Sequence, residues 1–289
     1  MTSQIESPAG WAAGGLAGAC AAIFVSPFDV LKTRLQIQST DSSKHPLYRG
    51  ILGSLRRVFR EEGYRGLFRG LPPTLLGYVP SWAIYFNCYE WAKLELKESL
   101  GIEASAQRAM LGAVFAGCAA NTVTNPFWVV RTRLQAQRHF GVAAPKYSGT
   151  LDCLLKVIRG EGPRALLKGL AASYAGLSHV AIQFPVYEEC KSMALKHEGV
   201  PYTVGMIGSA VVSKICASAL TYPHEVLRSR MQVSTRALTL RGVALATVRE
   251  EGARALYAGF ATNLVRVVPA CAITFLTYEI ALQALNNNC

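Results

Sequence analysis

Apolar residues are gathered in six long blocks along the chain. Four blocks contain no charged residue, and two contain one basic residue each. In order, the blocks are 10–28, 70–89, 109–130, 169–187, 201–224 and 256–278. Each is about as long as the 17 to 25 apolar residues that a helix needs to cross a bilayer. The pattern therefore predicts six transmembrane helices, which we call segments one to six.

Basic residues are concentrated in alternate connections between these segments. The connections after segments one, three and five contain nine, eight and six Lys or Arg, which is 23 of the 30 in the chain. Membrane proteins segregate cations to one side of the bilayer in this way. We therefore expect both termini on the less basic side. The formal charge of +12 also suits a soluble helical-repeat protein that binds nucleic acid, but the uncharged blocks argue against that class, and we expect no nucleic-acid partner.

Composition excludes several other classes. The chain is 51% hydrophobic and 17% charged, against about 25% charged in ordinary soluble domains, so it is neither a disordered chain nor a small disulfide-stapled domain. It contains no glycine-rich phosphate loop, metal-ligand constellation or nucleophile–base pair. We therefore predict no enzymatic activity, no metal site and no cofactor. No basic residue precedes Lys32, so targeting information is expected to be internal.

Three motifs recur in the same order with a period near 100 residues. A proline-led motif ends each odd segment, a Glu-Gly to Gly stretch follows it, and a Tyr-Glu pair ends each even segment. The copies are Pro27–Gln36, Pro126–Gln135 and Pro223–Gln232; Glu62–Gly70, Glu161–Gly169 and Glu251–Gly259; and Tyr89–Lys93, Tyr187–Lys191 and Tyr278–Glu279. The repetition predicts three tandem two-helix repeats, at 8–97, 105–195 and 201–287.

The proline-led motif resembles the signature of the mitochondrial carrier family, Pro-x-Asp/Glu-x-x-Lys/Arg-x-Lys/Arg. Copies one and three match fully, whereas copy two has Trp128 at the acidic position. The resemblance covers about residues 8 to 287. It implies an all-α membrane protein with six transmembrane helices and threefold pseudosymmetry around a central cavity. It also implies a functional monomer in the lipid bilayer of the mitochondrial inner membrane, with both termini toward the intermembrane space. Plastid and peroxisomal members of the family are the alternative location.

Acids and bases of the motif are spaced to form a ring. The acid lies two residues after the proline and the base five after it, so both share one helical face. Three copies around an axis can form inter-helix ion pairs, which the resemblance implies to be a matrix gate. We expect the glutamine of each copy to brace the pairs. Since Trp128 cannot form an ion pair, we expect it to give the leftover base a cation–π contact, worth about 0.5–2 kcal/mol. The gate residues are Asp29, Lys32, Gln36, Trp128, Arg131, Gln135, Glu225, Arg228 and Gln232.

A second gate is implied at the opposite, cytoplasmic end. Position 282 is Leu where a third lysine would stand, so at most two ion pairs can close this end. We expect this gate to be the weaker one unless packing compensates. Its residues are Tyr89, Glu90, Lys93, Tyr187, Glu188, Lys191, Tyr278 and Glu279.

Two basic residues lie at membrane depth, Lys214 and Arg266. Neither has an acid in its own segment at pairing distance, so we expect two uncompensated cations in the cavity and an anionic substrate. The resemblance places further substrate contacts in the middle of the even helices. Together the expected substrate-binding residues are Gly77, Ser81, Trp82, Ala175, Gly176, His179, Gln183, Lys214 and Arg266. Packing remains an alternative for Trp82 and His179.

Local sequence resembles one branch of the family, whose members carry NAD, folate, FAD and pyrimidine nucleotides. The stretches concerned are Ser81–Phe86, Asn125–Val130, Gly176–Pro185 and Thr221–Val226, and the third looks most like NAD carriers. The resemblance implies an antiporter that imports NAD+ in exchange for adenine nucleotides by alternating access. A folate, FAD or pyrimidine nucleotide carrier is the alternative.

Overall fold

The protein is described here from a computed structural model, which covers residues 8–38, 50–99, 101, 105–137, 147–196, 202–235, 239–266, 269–270, 273, 277 and 280. These residues form helices and no strand. The α-helices are α1 (Pro8–Ile37), α2 (Ile51–Leu67), α3 (Leu71–Glu98), α4 (Ser105–Ala136), α5 (Thr150–Glu161), α6 (Leu170–Gly176), α7 (Ser178–Lys196), α8 (Tyr202–Thr221), α9 (Pro223–Val233) and α10 (Leu240–Glu251). Two 3₁₀ turns, Pro163–Leu167 and Ala253–Tyr257, precede segments four and six, and residues 260–266 are again helical.

Helices α1, α3 and α4 correspond to segments one, two and three, with 30, 28 and 32 residues. At 1.5 Å per residue, each is long enough to cross about 30 Å of hydrocarbon. Pro27 and Pro126 lie inside α1 and α4. In segment five the helix is interrupted at Tyr222, directly before Pro223, because proline lacks the N–H that would continue the hydrogen-bond ladder.

One described stretch, Pro163–Ala194, meets both the length and the hydropathy expected of a membrane-crossing helix, and Gly208–Thr221 is a shorter apolar helix. Only 22% of the most apolar window of the longer stretch is buried within the protein. Large apolar side chains such as Phe24, Val79 and Phe184 are exposed as well. Exposed apolar side chains are expected along helices that face lipid.

Three short helices, α2, α5 and α10, lie in the basic connections, and each packs an apolar face on the end of an odd segment. The buried contacts form three separate clusters, one at the end of each odd segment. They join Val58 to Leu31, Cys153 and Val157 to Val130 and Leu134, and Val243 to Leu227 and Met231. The apolar face of each short helix thus packs it against the proline-led motif of its own repeat.

Three glycines tie each repeat to the next. Gly70, Gly169 and Gly259 precede even segments with φ of +84°, +80° and +80°. A Cβ atom on them would lie 3.2 Å from the carbonyl oxygens of Arg131, Arg228 and Lys32, respectively. Only glycine combines this left-handed backbone with such a close approach. The even segment of each repeat therefore begins in contact with the proline-led motif of the following repeat, and the third repeat contacts the first.

Candidate functional site

The ends of α1, α4 and α9 surround a cavity of about 290 Å³. All nine residues expected to form the matrix gate line it, as do Ser81 and Arg266 among the expected substrate contacts. Five further lining residues were not anticipated from the sequence. They are Thr33, Asn121, Thr132, His224 and Ser229.

Two ion pairs between residues of the proline-led motifs cross this cavity and join different repeats. Lys32 Nζ lies 2.5 Å from Glu225 Oε2, and Arg131 Nη2 donates to Asp29 Oδ2 at 2.6 Å. The two pairs join α1 to α9 and α4 to α1. Two of the three connections that a threefold ring requires are therefore present, and the acid missing at Trp128 removes the third.

Arg266 is not an uncompensated cation, which corrects the expectation from its own segment. Its Nη1 atom donates to Asp29 Oδ1 at 2.8 Å, and its Nη2 atom donates to Asn263 Oδ1 at 3.3 Å. The acid lies 237 residues away in the chain, so a search within segment six could not find it. Lys214 is exposed, lies outside the cavity lining and makes no ion pair with a described residue.

Trp128 does not serve the base that is left over, which corrects a second expectation. The indole ring lies 5.6 Å from the guanidinium carbon of Arg131, a residue that is already paired with Asp29. Indole Nε1 donates to Thr124 Oγ1 at 3.1 Å, and Tyr78 packs edge-on with 5.8 Å between ring centroids. Arg131 follows Trp128 by three residues on the same helix face, and this proximity decides which cation the ring meets.

Among the described residues, Arg228 is the ring base that makes no ion pair, although the Glu225 carboxylate on its own helix attracts it. It lines the cavity, and no described residue makes a hydrogen bond or an ion pair with it. The lining contains four cations, Lys32, Arg131, Arg228 and Arg266, against two carboxylates, Asp29 and Glu225. An excess of positive charge is thus present, as expected, but Arg228 contributes it and Lys214 does not.

The three motif glutamines bind hydroxyl groups rather than the ion pairs that we expected them to brace. Each accepts a hydrogen bond from the hydroxyl that follows the base in another copy of the motif, with 2.7 Å between the oxygens. The pairs are Thr33 with Gln135, Thr132 with Gln232, and Ser229 with Gln36. They form a complete threefold ring, because every copy of the motif contains both the hydroxyl and the glutamine.

A further ring was not assigned from the sequence, although its residues repeat in the quoted motifs. The second base of each motif donates from Nε to the backbone oxygen of a motif glutamine, at 2.9 to 3.0 Å, and its guanidinium pairs with the Glu of its own repeat's Glu-Gly marker. The sets are Arg34 with Gln135 and Glu62, Arg133 with Gln232 and Glu161, and Arg230 with Gln36 and Glu251. Burial opposes ionisation of Glu161, but hydrogen bonds from Arg133 and Lys168 hold its pKa below the usual value.

Most of the expected even-helix contacts lie outside the cavity lining. Gly77 packs against Phe127, and a Cβ on Gly176 would meet the imidazole of His224 at 2.5 Å. The Nδ1 atom of His179 forms a hydrogen bond with the hydroxyl of Thr221, at 3.2 Å. The exposed ring of Trp82 stacks on Phe86. Ala175, Gln183 and Lys214 do not line the cavity either.

The opposite gate is not joined between helices in the described residues. Lys93 lies 3.3 Å from Glu90 on its own helix, and the Lys191 ammonium lies 5.8 Å from the ring of Tyr187, also on its own helix. Tyr89 stacks on Tyr85 one turn earlier, and Glu188 is exposed. Tyr278 and Glu279 lie outside the described residues. In this conformation the ion pairs between helices of the described residues therefore lie at the end of the bundle where the basic loops are.

Sequence comparison identifies relatives that span the chain. The family described as "Mitochondrial carrier protein" matches residues 3–100, 103–198 and 201–288. The "Mitochondrial nicotinamide adenine dinucleotide transporter 1" of Saccharomyces cerevisiae is 41% identical over 99% of this chain and 78% of its own length. The "Nicotinamide adenine dinucleotide transporter 1, chloroplastic" of Arabidopsis thaliana is 41% identical over 95% of this chain and 91% of its own. "Solute carrier family 25 member 36" of Gallus gallus is 37% identical, with shares of 95% and 96%.

The three matched segments agree with the threefold rings around the cavity, and transporters at this identity cover nearly all of the chain. The chain therefore belongs to the mitochondrial carrier family, with its all-α membrane fold of three two-helix repeats, and is a transporter and not an enzyme.

Proposed function

We propose that this protein is an antiporter that imports NAD+ in exchange for adenine nucleotides by alternating access. The observation that carries the proposal is the charge of the cavity, where four cations face two carboxylates. Glu225 is paired with Lys32, and Asp29 is paired with both Arg131 and Arg266. The remaining positive charge suits an anionic substrate, and the phosphates of a dinucleotide supply such charge.

Relatives support the choice of substrate. Two of the relatives named above are called nicotinamide adenine dinucleotide transporters, and both match nearly all of this chain. The cavity of about 290 Å³ is near the lower end of the range for small-molecule pockets, about 300–1,000 Å³. We infer that the phosphates of the substrate lie at the gate, while the nucleosides extend between the even helices.

The distribution of ion pairs supports alternating access. The connections between repeats are made at one end, and the described residues of the other gate pair only within their helices. Opening the closed end requires breaking the pairs of Lys32 with Glu225 and of Arg131 with Asp29. Both pairs are mostly buried, so substrate interactions must offset a considerable part of that energy.

The remaining assignments follow from the same picture. We propose a functional monomer, since one chain supplies all three members of each ring, with repeats at 8–97, 105–195 and 201–287. We place it in the mitochondrial inner membrane with both termini toward the intermembrane space. A plastid or peroxisomal membrane is the alternative, and one of the relatives is named as chloroplastic.

Exchange in liposomes tests the proposal. Purified protein is reconstituted into vesicles loaded with ADP or AMP, and uptake of labelled NAD+, FAD, folate and UTP is compared. We expect NAD+ uptake that depends on internal adenine nucleotide. Uptake of NAD+ no faster than into empty vesicles would contradict the proposal, and faster uptake of folate, FAD or UTP would favour the alternative substrates.

A further inference from the structure

We propose that an anionic group of the substrate takes the place of the carboxylate that is missing at position 128 and completes the ring through Arg228. For a nucleotide this group is a phosphate. The inference deepens the proposed function and rests on it for the identity of the anion, but not for the role of Arg228.

The vacant place in the ring is defined by its two neighbours. Asp29 meets the base of the second repeat, Arg131, and Glu225 meets the base of the first, Lys32. By the same succession the base of the third repeat, Arg228, would meet the residue at position 128. That residue is Trp128, whose indole Nε1 donates a hydrogen bond to Thr124 and whose ring packs against Tyr78. The protein therefore offers Arg228 no charge at the third place.

Around the cavity, buried donors without a hydrogen bond outnumber such acceptors. The acceptor concerned is Glu225 Oε2, which lies 2.5 Å from Lys32 Nζ. Asp29 gives one carboxylate oxygen to Arg131 and the other to Arg266. Arg131 Nε, Arg266 Nε and Gln232 Nε2 are buried and have no hydrogen-bond partner among the described residues. Buried donors without acceptors are costly, and a charged donor costs more than a neutral one. An added acceptor with several oxygens, such as a phosphate, would satisfy Arg228 and these neighbours together.

A consequence follows for the empty and the occupied protein. Two of the three places in the ring of motif ion pairs are filled in the empty protein, and the bound anion fills the third place, which only the occupied protein has. Binding must therefore depend on the charge of the ligand at this position. A nucleoside without phosphate cannot make the connection.

Ligand-induced thermal stabilisation of the detergent-solubilised full chain tests the inference. The probes are NAD+, ADP, inorganic pyrophosphate and uncharged adenosine, titrated against wild type, Arg228→Gln, Arg228→Lys and Trp128→Asp. Arg249→Gln is the matched control, because Arg249 is exposed on α10 and is not among the residues that line the cavity. Losing a charge-assisted hydrogen bond weakens binding by about tenfold or more.

We expect Arg228→Gln to weaken NAD+ and ADP binding by about tenfold or more, and Arg228→Lys to retain most of it. Trp128→Asp should also weaken binding, because an internal carboxylate then competes for Arg228, while the empty protein becomes more stable. Adenosine should not stabilise any form. If Arg228→Gln binds as tightly as wild type, or adenosine stabilises as well as ADP, the inference is wrong.

The outcomes separate this inference from the choice of substrate. If wild type responds to pyrophosphate or another anion but not to NAD+, and Arg228→Gln loses that response, the NAD+ assignment fails and the role of Arg228 stands. If NAD+ binds wild type and Arg228→Gln equally well, the NAD+ assignment stands and the role of Arg228 is wrong. If Arg228→Gln does not fold, Trp128→Asp decides, and unchanged anion affinity in that variant would overturn the inference.

Discussion

Arg266 Nη1 donates to Asp29 Oδ1 at 2.8 Å, and this hydrogen bond joins the last even segment to the first copy of the ring motif. Asp29 thereby holds two arginines at once, because its other carboxylate oxygen accepts from Arg131 at 2.6 Å. A residue predicted as a substrate contact and a residue predicted as part of a gate are therefore directly coupled. An anion that reaches Arg266 therefore lies next to a residue that is bonded directly to the ring.

Replacing Arg266 with Ala should abolish exchange and lower the melting temperature of the empty protein. The loss removes a charge from the cavity and leaves Asp29 with one partner fewer, at a cost of about 1.5–3 kcal/mol. Liposome uptake and a thermal unfolding curve measure the two effects. Lys196→Ala, on the exposed end of α7, is the control and should change neither. Transport that persists in Arg266→Ala would remove this residue from the site.

Replacing Trp128 with Asp should slow exchange and raise thermal stability. The new carboxylate can pair with Arg228, and a third ion pair must then break each time this end opens. If the pair adds about 1 kcal/mol, the melting temperature should rise by about 2–4 °C. Trp128→Phe keeps an aromatic ring without adding charge and should leave the exchange rate near that of wild type. Unaltered kinetics and stability in Trp128→Asp would count against the third place in the ring.

Replacing Glu62 with Gln should destabilise the protein far more than replacing its neighbour Glu61. Glu62 and Arg34 are almost completely buried, with 2% and 1% of their side chains exposed, and breaking such a pair costs about 3–5 kcal/mol. Glu61 pairs with Arg57 one turn away, and both are about half exposed, so Glu61→Gln should cost less than about 1 kcal/mol. Thermal unfolding of the two variants compares these costs, and equal melting temperatures would contradict a structural role for the buried ring.

Replacing Gly169 with Ala should destabilise the joint between the second and third repeats. Its φ is +80°, and an added Cβ would lie 2.9 Å from Gln232 Cγ and 3.2 Å from the carbonyl oxygen of Arg228. The left-handed backbone alone costs about 1–2 kcal/mol in a residue with a Cβ, and the crowding adds to it. Gly53→Ala on α2 has open space around it and should be neutral or stabilising. A melting temperature of Gly169→Ala at or above wild type would show that the backbone shifts freely here.

The sequence by itself determined the three helical hairpins, the concentration of cations in alternate connections and the residues that gather at the ring. Lipid imposes long uncharged blocks and cation segregation, and both are visible in one dimension. The three copies of Pro-x-Asp/Glu-x-x-Lys/Arg also placed nine lining residues at one end, because spacing along a helix fixes the face and the level of each side chain.

Only the tertiary structure decided which charge meets which. Asp29 binds Arg131 and Arg266, and Trp128 lies beside Arg131 rather than Arg228. These partners come from different repeats or compete within one, and their choice depends on how the helices pack around the axis. Helical periodicity specifies which way a side chain points from its own helix, but it contains no information about the neighbouring helix that the side chain reaches.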